Sequence, residues 1–258
     1  MKTEDFILDT RVLQRLQINA CSHKIVSVLQ LVDLGAGTLV DKLQLPGEPW
    51  GLCLLPDNEA AVTLPRNNTI QVISVSCKKL SHRRVINVNT ECWGIDIVNE
   101  YFVVGKVGKV ALIDQTGTVF KSASRYSKGK SIFKFPHYIC VSVENSNKVI
   151  YVSDHGTKKI TRLSDDLHVL QTFTCPNVPC PRDVKSLGRQ YLLVVNWKLG
   201  EPSTLYAVDV TTGRFTLLLG RQENLRGMRC VATKPGLESV YVTQWLDGYD
   251  MVTEYRIK

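Results

Sequence analysis

Dense runs of β-branched, aliphatic and aromatic residues recur along the chain at 60–64, 101–104, 149–153, 191–195 and 240–243. Turn-forming residues precede them, among them Pro56-Asp57-Asn58, Asn145-Ser146-Asn147 and Pro235-Gly236. A second run follows each, as at 69–75, 109–114, 159–163 and 205–209, and then a tight turn and a more polar run such as 118–121 or 214–219. No stretch carries a helical period, so each unit reads as four short strands. A short phrase opens each unit: Pro49-Trp50-Gly51, Cys92-Trp93-Gly94, Pro136-His137-Tyr138, Pro181-Arg182-Asp183 and Leu225-Arg226-Gly227. Measured on the middle residue, the spacings are 43, 44, 45 and 44, and one further period back reaches the neighbourhood of Phe6.

An even period of this length predicts a repeat architecture. Six units of four strands fit an all-β, six-bladed β-propeller with antiparallel blades, forming a single domain over residues 1–258. The first blade, about 6–48, is degenerate, and later blades begin near 49, 92, 136, 181 and 225. The last unit ends after its third strand, at 254–257, so the N-terminal strand around Phe6-Ile7-Leu8 is expected to close the ring. Neighbouring blades cover both faces of the middle strands, which explains why 191–195 is apolar throughout rather than alternating. A pair of β-sandwiches would not produce the even period.

With 44% hydrophobic and 22% charged residues, the chain can bury a core and is not disordered. The net charge of +8 permits attraction to polyanions without demanding it. Eight cysteines, none spaced as C-x-x-C, fall mostly in apolar stretches, as reduced thiols of a cytoplasmic protein would. Cys175 and Cys180 are expected to be free, and no second Cys/His pair suggests a zinc site. Glu4, Asp5 and Asp9 without an apolar run exclude a signal peptide at this N-terminus, and no aliphatic stretch reaches membrane-spanning length. The Asn67-Asn68-Thr69 triplet therefore lacks a secretory context.

In a propeller, the connections between second and third strands share one rim with the blade openings. That rule gathers a candidate partner-binding surface of Trp197, Trp245, Lys198, Asp247, Tyr249, His155, Lys106, Arg66, Arg182 and Arg226. Tryptophan, tyrosine and arginine are the side chains that most often anchor interfaces. Trp50 and Trp93, beside the opening glycines, are expected to pack between blades, whereas Trp197 and Trp245 occupy loop-like positions suited to contact. An alternative set, Arg125, Tyr126, Lys128, Lys130 and Lys134, interleaves basic and aromatic residues as single-stranded RNA binding requires. Acidic residues on the same rim argue for a protein or peptide partner ahead of RNA, and neither DNA nor a membrane is expected. No nucleophile elbow, phosphate loop or metalloprotease motif is present. The expected channel-facing set of Cys53, Asp96, Cys140, Lys185 and Arg229 makes a poor calcium cage, which disfavours lactonase-like catalysis. The chain thus reads as non-catalytic, with no metal or cofactor.

The segments PWGLCLLPDNEAAVTLP (49–65), PHYICVSVENSNKVIYVSDHGTKKITRL (136–163) and VYVTQWLDGYD (240–250) resemble NHL-type propellers, whose repeats run from Pro-x-Gly through an apolar strand to an apolar run ending in Asp. The likeness is greatest to the C-terminal propellers of tripartite-motif-like proteins of invertebrates, especially molluscs, and extends from about Gln30 onward. Tyr151-Val152-Ser153-Asp154 matches the pattern best. Pro65, Gly105, Asn196 and Gln244 stand in the aligned position of Asp154, and Tyr138 and Asp183 replace the opening glycine. The resemblance implies a substrate-selecting module of the kind found in ubiquitin ligases. The zinc-binding RING and B-box regions of such ligases have no counterpart in this sequence, and some relatives of this type hold RNA.

Overall fold

The computed structural model describes residues 13–18, 26–33, 36, 38–174, 177–198, 200–220, 225, 227–228, 230–233, 239–246 and 249–256. Among these residues the strands form six antiparallel sheets, and one 3-10 turn spans Pro65–Asn67. The first sheet orders β1 (Leu13–Ile18), β2 (Val26–Asp33) and β3 (Thr38–Gln44). The second orders β4 (Leu52–Leu55), β5 (Glu59–Leu64), β6 (Thr69–Ser76) and β7 (Lys79–Asn87). The third contains β8 (Ile95–Val98), β9 (Tyr101–Lys106), β10 (Lys109–Ile113) and β11 (Val119–Ala123). The fourth contains β12 (Pro136–Glu144), β13 (Asn147–Asp154), β14 (Lys159–Ser164) and β15 (Val169–Phe173). The fifth contains β16 (Pro181–Leu187), β17 (Tyr191–Asn196), β18 (Thr204–Asp209) and β19 (Phe215–Leu219). The sixth orders β20 (Cys230–Thr233), β21 (Ser239–Leu246) and β22 (Tyr249–Arg256).

Strands β4, β8, β12, β16 and β20 lie successively against one another, and each sheet runs outward from them through consecutive hairpins. This is a β-propeller. The four central sheets have the expected four strands, while the first and last show three each among the described residues. β1 and β22 come into contact, bringing the first and last sheets together. The closing strand expected around Phe6-Ile7-Leu8 lies outside the described residues. No helix among the described residues is long and apolar enough to cross a membrane.

Strand alternation divides each continuous apolar run between two blade interfaces. In β9, Phe102 and Val104 enter the cluster shared with the second sheet, and Val103 enters the one shared with the fourth. In β17, Leu192 and Val194 face the fourth sheet, while Leu193 and Val195 face the sixth. These side chains are all 1% exposed or less. Each such aliphatic contributes roughly 1.5–3 kcal/mol by leaving water, so the ring is held by its interfaces. Two consecutive left-handed residues close the hairpins at Asp57 and Asn58 (φ 59° and 56°) and at Asn145 and Ser146 (46° and 68°). Such turns match the right-handed twist of the flanking strands.

The ladders refine the alignment of the repeats. Leu52, Ile95, Ile139 and Val184 pair with Val62, Val104, Val152 and Val194, respectively. Counting on from these pairs, Leu64, Lys106, Asp154 and Asn196 occupy one structural position. The counterparts of Asp154 in the second and third blades are therefore Leu64 and Lys106, each one residue away from the Pro65 and Gly105 that sequence alignment suggests. In the sixth sheet, Thr243 Oγ1 bonds the Cys230 N–H (3.0 Å), as Thr63 Oγ1 bonds the Gly51 N–H (2.8 Å). Cys230 is thus the counterpart of Gly51, and the inner strand starts just after the 225–229 phrase.

Candidate functional site

At the axis, Cys53, Asp96, Cys140 and Lys185 come close enough for their charges to act on one another. Burial raises the Cys53 thiol well above its ordinary range and pushes Cys140 up to about 11. It also raises the Asp96 and Asp183 carboxyls. Burial alone would lower Lys185, but Asp183, Cys140 and Asp96 around it outweigh that and hold the ammonium charged. The carboxylates also tie blades together. Asp96 accepts from the Val141 N–H (2.7 Å) and Asp183 from the Val231 N–H (2.9 Å), each on the next inner strand. Lys185 and these carboxylates, which already serve backbone donors, act on one another as buried opposite charges. Among the described residues, no three His, Cys, Asp or Glu side chains gather in a metal-holding group. Arg229 lies outside the described residues.

An aromatic cluster covers one end of this axis. Trp50 and Trp93 meet edge to face with centroids 4.6 Å apart, and His137 lies 4.7 Å from Trp93 and 5.3 Å from Trp50. Tyr138 and Phe135 extend the cluster, and the Trp50 indole N–H donates to the His137 carbonyl two blades away (3.1 Å). Thr63 Oγ1 donates to the Trp93 carbonyl (2.5 Å), fastening the second and third blades beneath it. The Trp93 Nε1 is buried and has no hydrogen-bond partner among the described residues. Trp50 and Trp93 pack across blades, as their place beside the opening glycines suggests, and they also form the floor of the mouth.

Cations ring this floor. The Arg182 guanidinium stacks 4.1 Å over the Trp197 ring, a cation–π contact that holds both side chains at the edge of the mouth. Burial, then His155 and Arg182, lower His137 to about 4; burial, then Arg182, also lower His155. Both imidazoles are neutral at physiological pH and sit in a positive field. Asp154 is the nearby acid, but both its oxygens serve backbone donors. Oδ2 accepts from Lys134 (2.6 Å), and Oδ1 accepts from Phe135 (3.0 Å), Gly156 (2.8 Å) and Thr157 (3.0 Å). This fully buried carboxylate fixes the segment entering the fourth blade against the β13–β14 turn. Lys134 and His155 take their places from it.

The remaining predicted contact residues distribute unevenly. Arg66 is exposed and lies 3.8 Å from Glu48. Lys198 pairs with Glu201 in the β17–β18 connection. Lys106, expected on the surface, is only 3% exposed and donates to the Val88 carbonyl (2.7 Å) and Thr90 Oγ1 (2.9 Å), so its ammonium serves the fold and is withdrawn from any contact surface. Trp245 lies within β21 opposite Asp250, and Tyr249 begins β22, so both belong to a hairpin ladder where a loop was expected. Arg226 and Asp247 lie outside the described residues. Sequence reasoning gave no special role to Phe135 or Asp154, and the four-donor role of Asp154 was marked only by the apolar run it terminates.

The predicted RNA set divides. Lys134 belongs to the mouth, 5.7 Å from the Phe135 centroid. Arg125 and Tyr126 instead line a peripheral cleft of about 370 Å³ between β11 and the β14–β15 turn. Lys128 and Lys130 are exposed on the adjoining turn. In that cleft Lys121 pairs with Asp166 at 3.4 Å, and His168 lies 2.8 Å from the same carboxylate. The Ser164 hydroxyl and Lys121 hold Asp166 at about 2, so this carboxylate is charged beside Lys121 and His168.

These features define a β-propeller whose mouth carries aromatic rings and cations. No protein-family profile matches the chain, and neither does any curated protein. Solved structures show the fold. A protein of unknown function from Bacteroides caccae has a TM-score of 0.61 at 10% identity, covering 86% of this chain and 80% of its own. Virginiamycin B lyase from Staphylococcus aureus has a TM-score of 0.59 at 14% identity, covering 95% and 88%. The Pan2 WD40 domain from Neurospora crassa has a TM-score of 0.55 at 11% identity, covering 90% and 71%. Likeness at such identities concerns the fold alone.

Proposed function

We propose that this propeller is a non-catalytic recognition module that binds a protein or peptide partner across the mouth formed by Trp50, Trp93, His137, Arg182 and Trp197, with His155 and Lys134 at its edge. The observation that carries this reading is the stacked Arg182–Trp197 pair beside a continuous aromatic cluster. Arginine and tryptophan held rigid by packing lose little entropy on association and are the side chains richest in interface hot spots. The resemblance of segments 49–65 and 136–163 to the substrate-selecting propellers of tripartite-motif proteins points the same way. Cys53, Cys77, Cys92, Cys140 and Cys180 are free thiols, in keeping with a reducing compartment such as the cytoplasm.

The test is selection from a random-peptide display library against the wild-type propeller and against an Arg182→Ala/Trp197→Ala variant shown by circular dichroism to keep its fold. A peptide family enriched on the wild type and lost on the variant supports the site. Equal enrichment on both, or none on either, rejects it.

Single-stranded RNA is the weaker reading because several rings of the mouth already have neighbours packed on them. Trp93 is covered by His137, Trp197 by Arg182, and Phe135 neighbours both Lys134 and His137. Base stacking needs open faces.

A further inference from the structure

We infer that the partner segment is acidic and that its carboxylates are received by Arg182 and Lys134, with His155 and Lys158 beside them. The inference rests on the recognition reading above and names the chemistry of its ligand. Its basis is an imbalance of charge at one end of the ring. Arg182 touches the Trp197 ring, and Lys134 lies over Phe135, but neither side chain meets a carboxylate among the described residues. Lys158, in the turn after Asp154, is exposed and likewise unpaired among the described residues. Elsewhere at the surface several cations have carboxylate partners: Arg66 has Glu48, Arg83 and Arg84 have Glu59, Lys121 has Asp166, and Lys198 has Glu201.

Among the described residues, Asp154 is the acid whose charge acts on the two imidazoles of the mouth, and it offsets part of the positive field there. Asp154 faces backbone N–H groups from both the segment before β12 and the β13–β14 turn, and these four bonds consume its acceptor capacity. Burial first, and then Arg182, nonetheless lower both neighbouring imidazoles. A guanidinium seated on an indole keeps its outer N–H groups free for a carboxylate in its own plane, a geometry suited to fork-like pairing. The rigid rings below exclude water, which strengthens any such pair. A glutamate- or aspartate-rich segment crossing the mouth meets these needs. A polynucleotide supplies the charge, but Trp93, Phe135 and Trp197 each already have a neighbour packed on the ring.

Fluorescence anisotropy with three labelled probes tests the inference: a short glutamate-rich peptide, the same peptide with glutamine at every glutamate, and an oligouridylate of equal length. The expected result is salt-sensitive binding of the glutamate peptide alone, weakened about tenfold or more by Arg182→Ala and by Lys134→Glu. Lys134 is exposed, so its variant keeps the test meaningful if the Arg182 variant fails to fold. Equal binding of the glutamine peptide overturns the charge inference and leaves peptide recognition standing. Tighter binding of oligouridylate, or no binding of the glutamate peptide at low salt, also overturns it. The library selection answers separately for the recognition reading.

Discussion

Replacing Asp154 isolates the bond set on which the geometry of the mouth depends. Asp154→Ala strands four backbone N–H groups, those of Lys134, Phe135, Gly156 and Thr157. Hydrogen bonds to a charged acceptor contribute roughly 1.5–3 kcal/mol each, and a buried donor left alone costs roughly 1–3 kcal/mol. Both segments lie near the surface and can relax toward water, so the sum is not reached, and a net loss of about 3–5 kcal/mol is expected. For a chain of this length that corresponds to a fall in Tm of roughly 10 °C or more. Asp154→Asn keeps an oxygen for the three donors to Oδ1 and presents an amide to Lys134 N alone, so its cost should be about 1–2 kcal/mol. Urea denaturation followed by circular dichroism measures both. A loss under 1 kcal/mol for the alanine variant, or equal losses for both variants, would refute the reasoning.

Gly105→Ala places a Cβ 1.8 Å from the Pro136 carbonyl oxygen, so β9 and β12 must separate, and urea denaturation should show a loss above about 2 kcal/mol. Gly108→Ala meets no atom within 4 Å, and its φ of +74° should limit the cost to about 1 kcal/mol. Acid unfolding should show His137, whose folded pKa is held at about 4 against an ordinary 6.5. Because the unfolded chain takes the proton first, this contribution is complete above pH 6.5 and is lost as pH falls toward 4. After allowance for partial exposure, it amounts to on the order of 2 kcal/mol. His137→Gln should flatten stability across that window, and an unchanged slope would count against the assignment. Thiol titration with a chromogenic disulfide should modify exposed Cys77 at once, while Cys53, Cys92 and Cys140 react only as fast as the protein unfolds; rapid labelling of any of these three would contradict their burial.

The blade pattern was legible in the sequence because it obeys two periods at once. A repeat of about forty-four residues sets the sheets, and a strand period of two divides Phe102, Val103 and Val104 between opposite interfaces. The mouth was legible in part. Trp197 and Arg182 followed from the rule that places second-to-third-strand connections on the side of the blade openings. Their stacking did not follow, since nothing local ties residue 182 to 197. Lys106 was misread because it has the composition of a surface residue, and its partners, Val88 and Thr90, lie in the preceding connection, where no sequence spacing marks them. Trp245 was read as loop-like because the residues after it form a turn, yet the ladder continues through Leu246 before the chain reverses.

The position shared by Lys106, Asp154 and Asn196 shows why drift in the repeat leaves the ring intact. Each stands at the end of its blade's second strand and reaches the segment that enters the same blade from its neighbour. Asp154 accepts from Lys134 and Phe135 N–H groups, Asn196 accepts from the Cys180 N–H (3.1 Å), and Lys106 donates to the Val88 carbonyl (2.7 Å). Acid, amide and ammonium thus perform one mechanical task, and the polarity of the bond reverses with the residue. In these three blades the side chain is polar and long enough to meet backbone groups that the incoming segment leaves unpaired, which are costly at a blade junction, whereas the second blade places the apolar Leu64 at this position. The electrostatic consequences differ from blade to blade. The third blade spends a cation on this task and the fourth spends an anion. The anion lies beside His137 and His155, and its charge opposes the lowering that burial and Arg182 impose on both imidazoles.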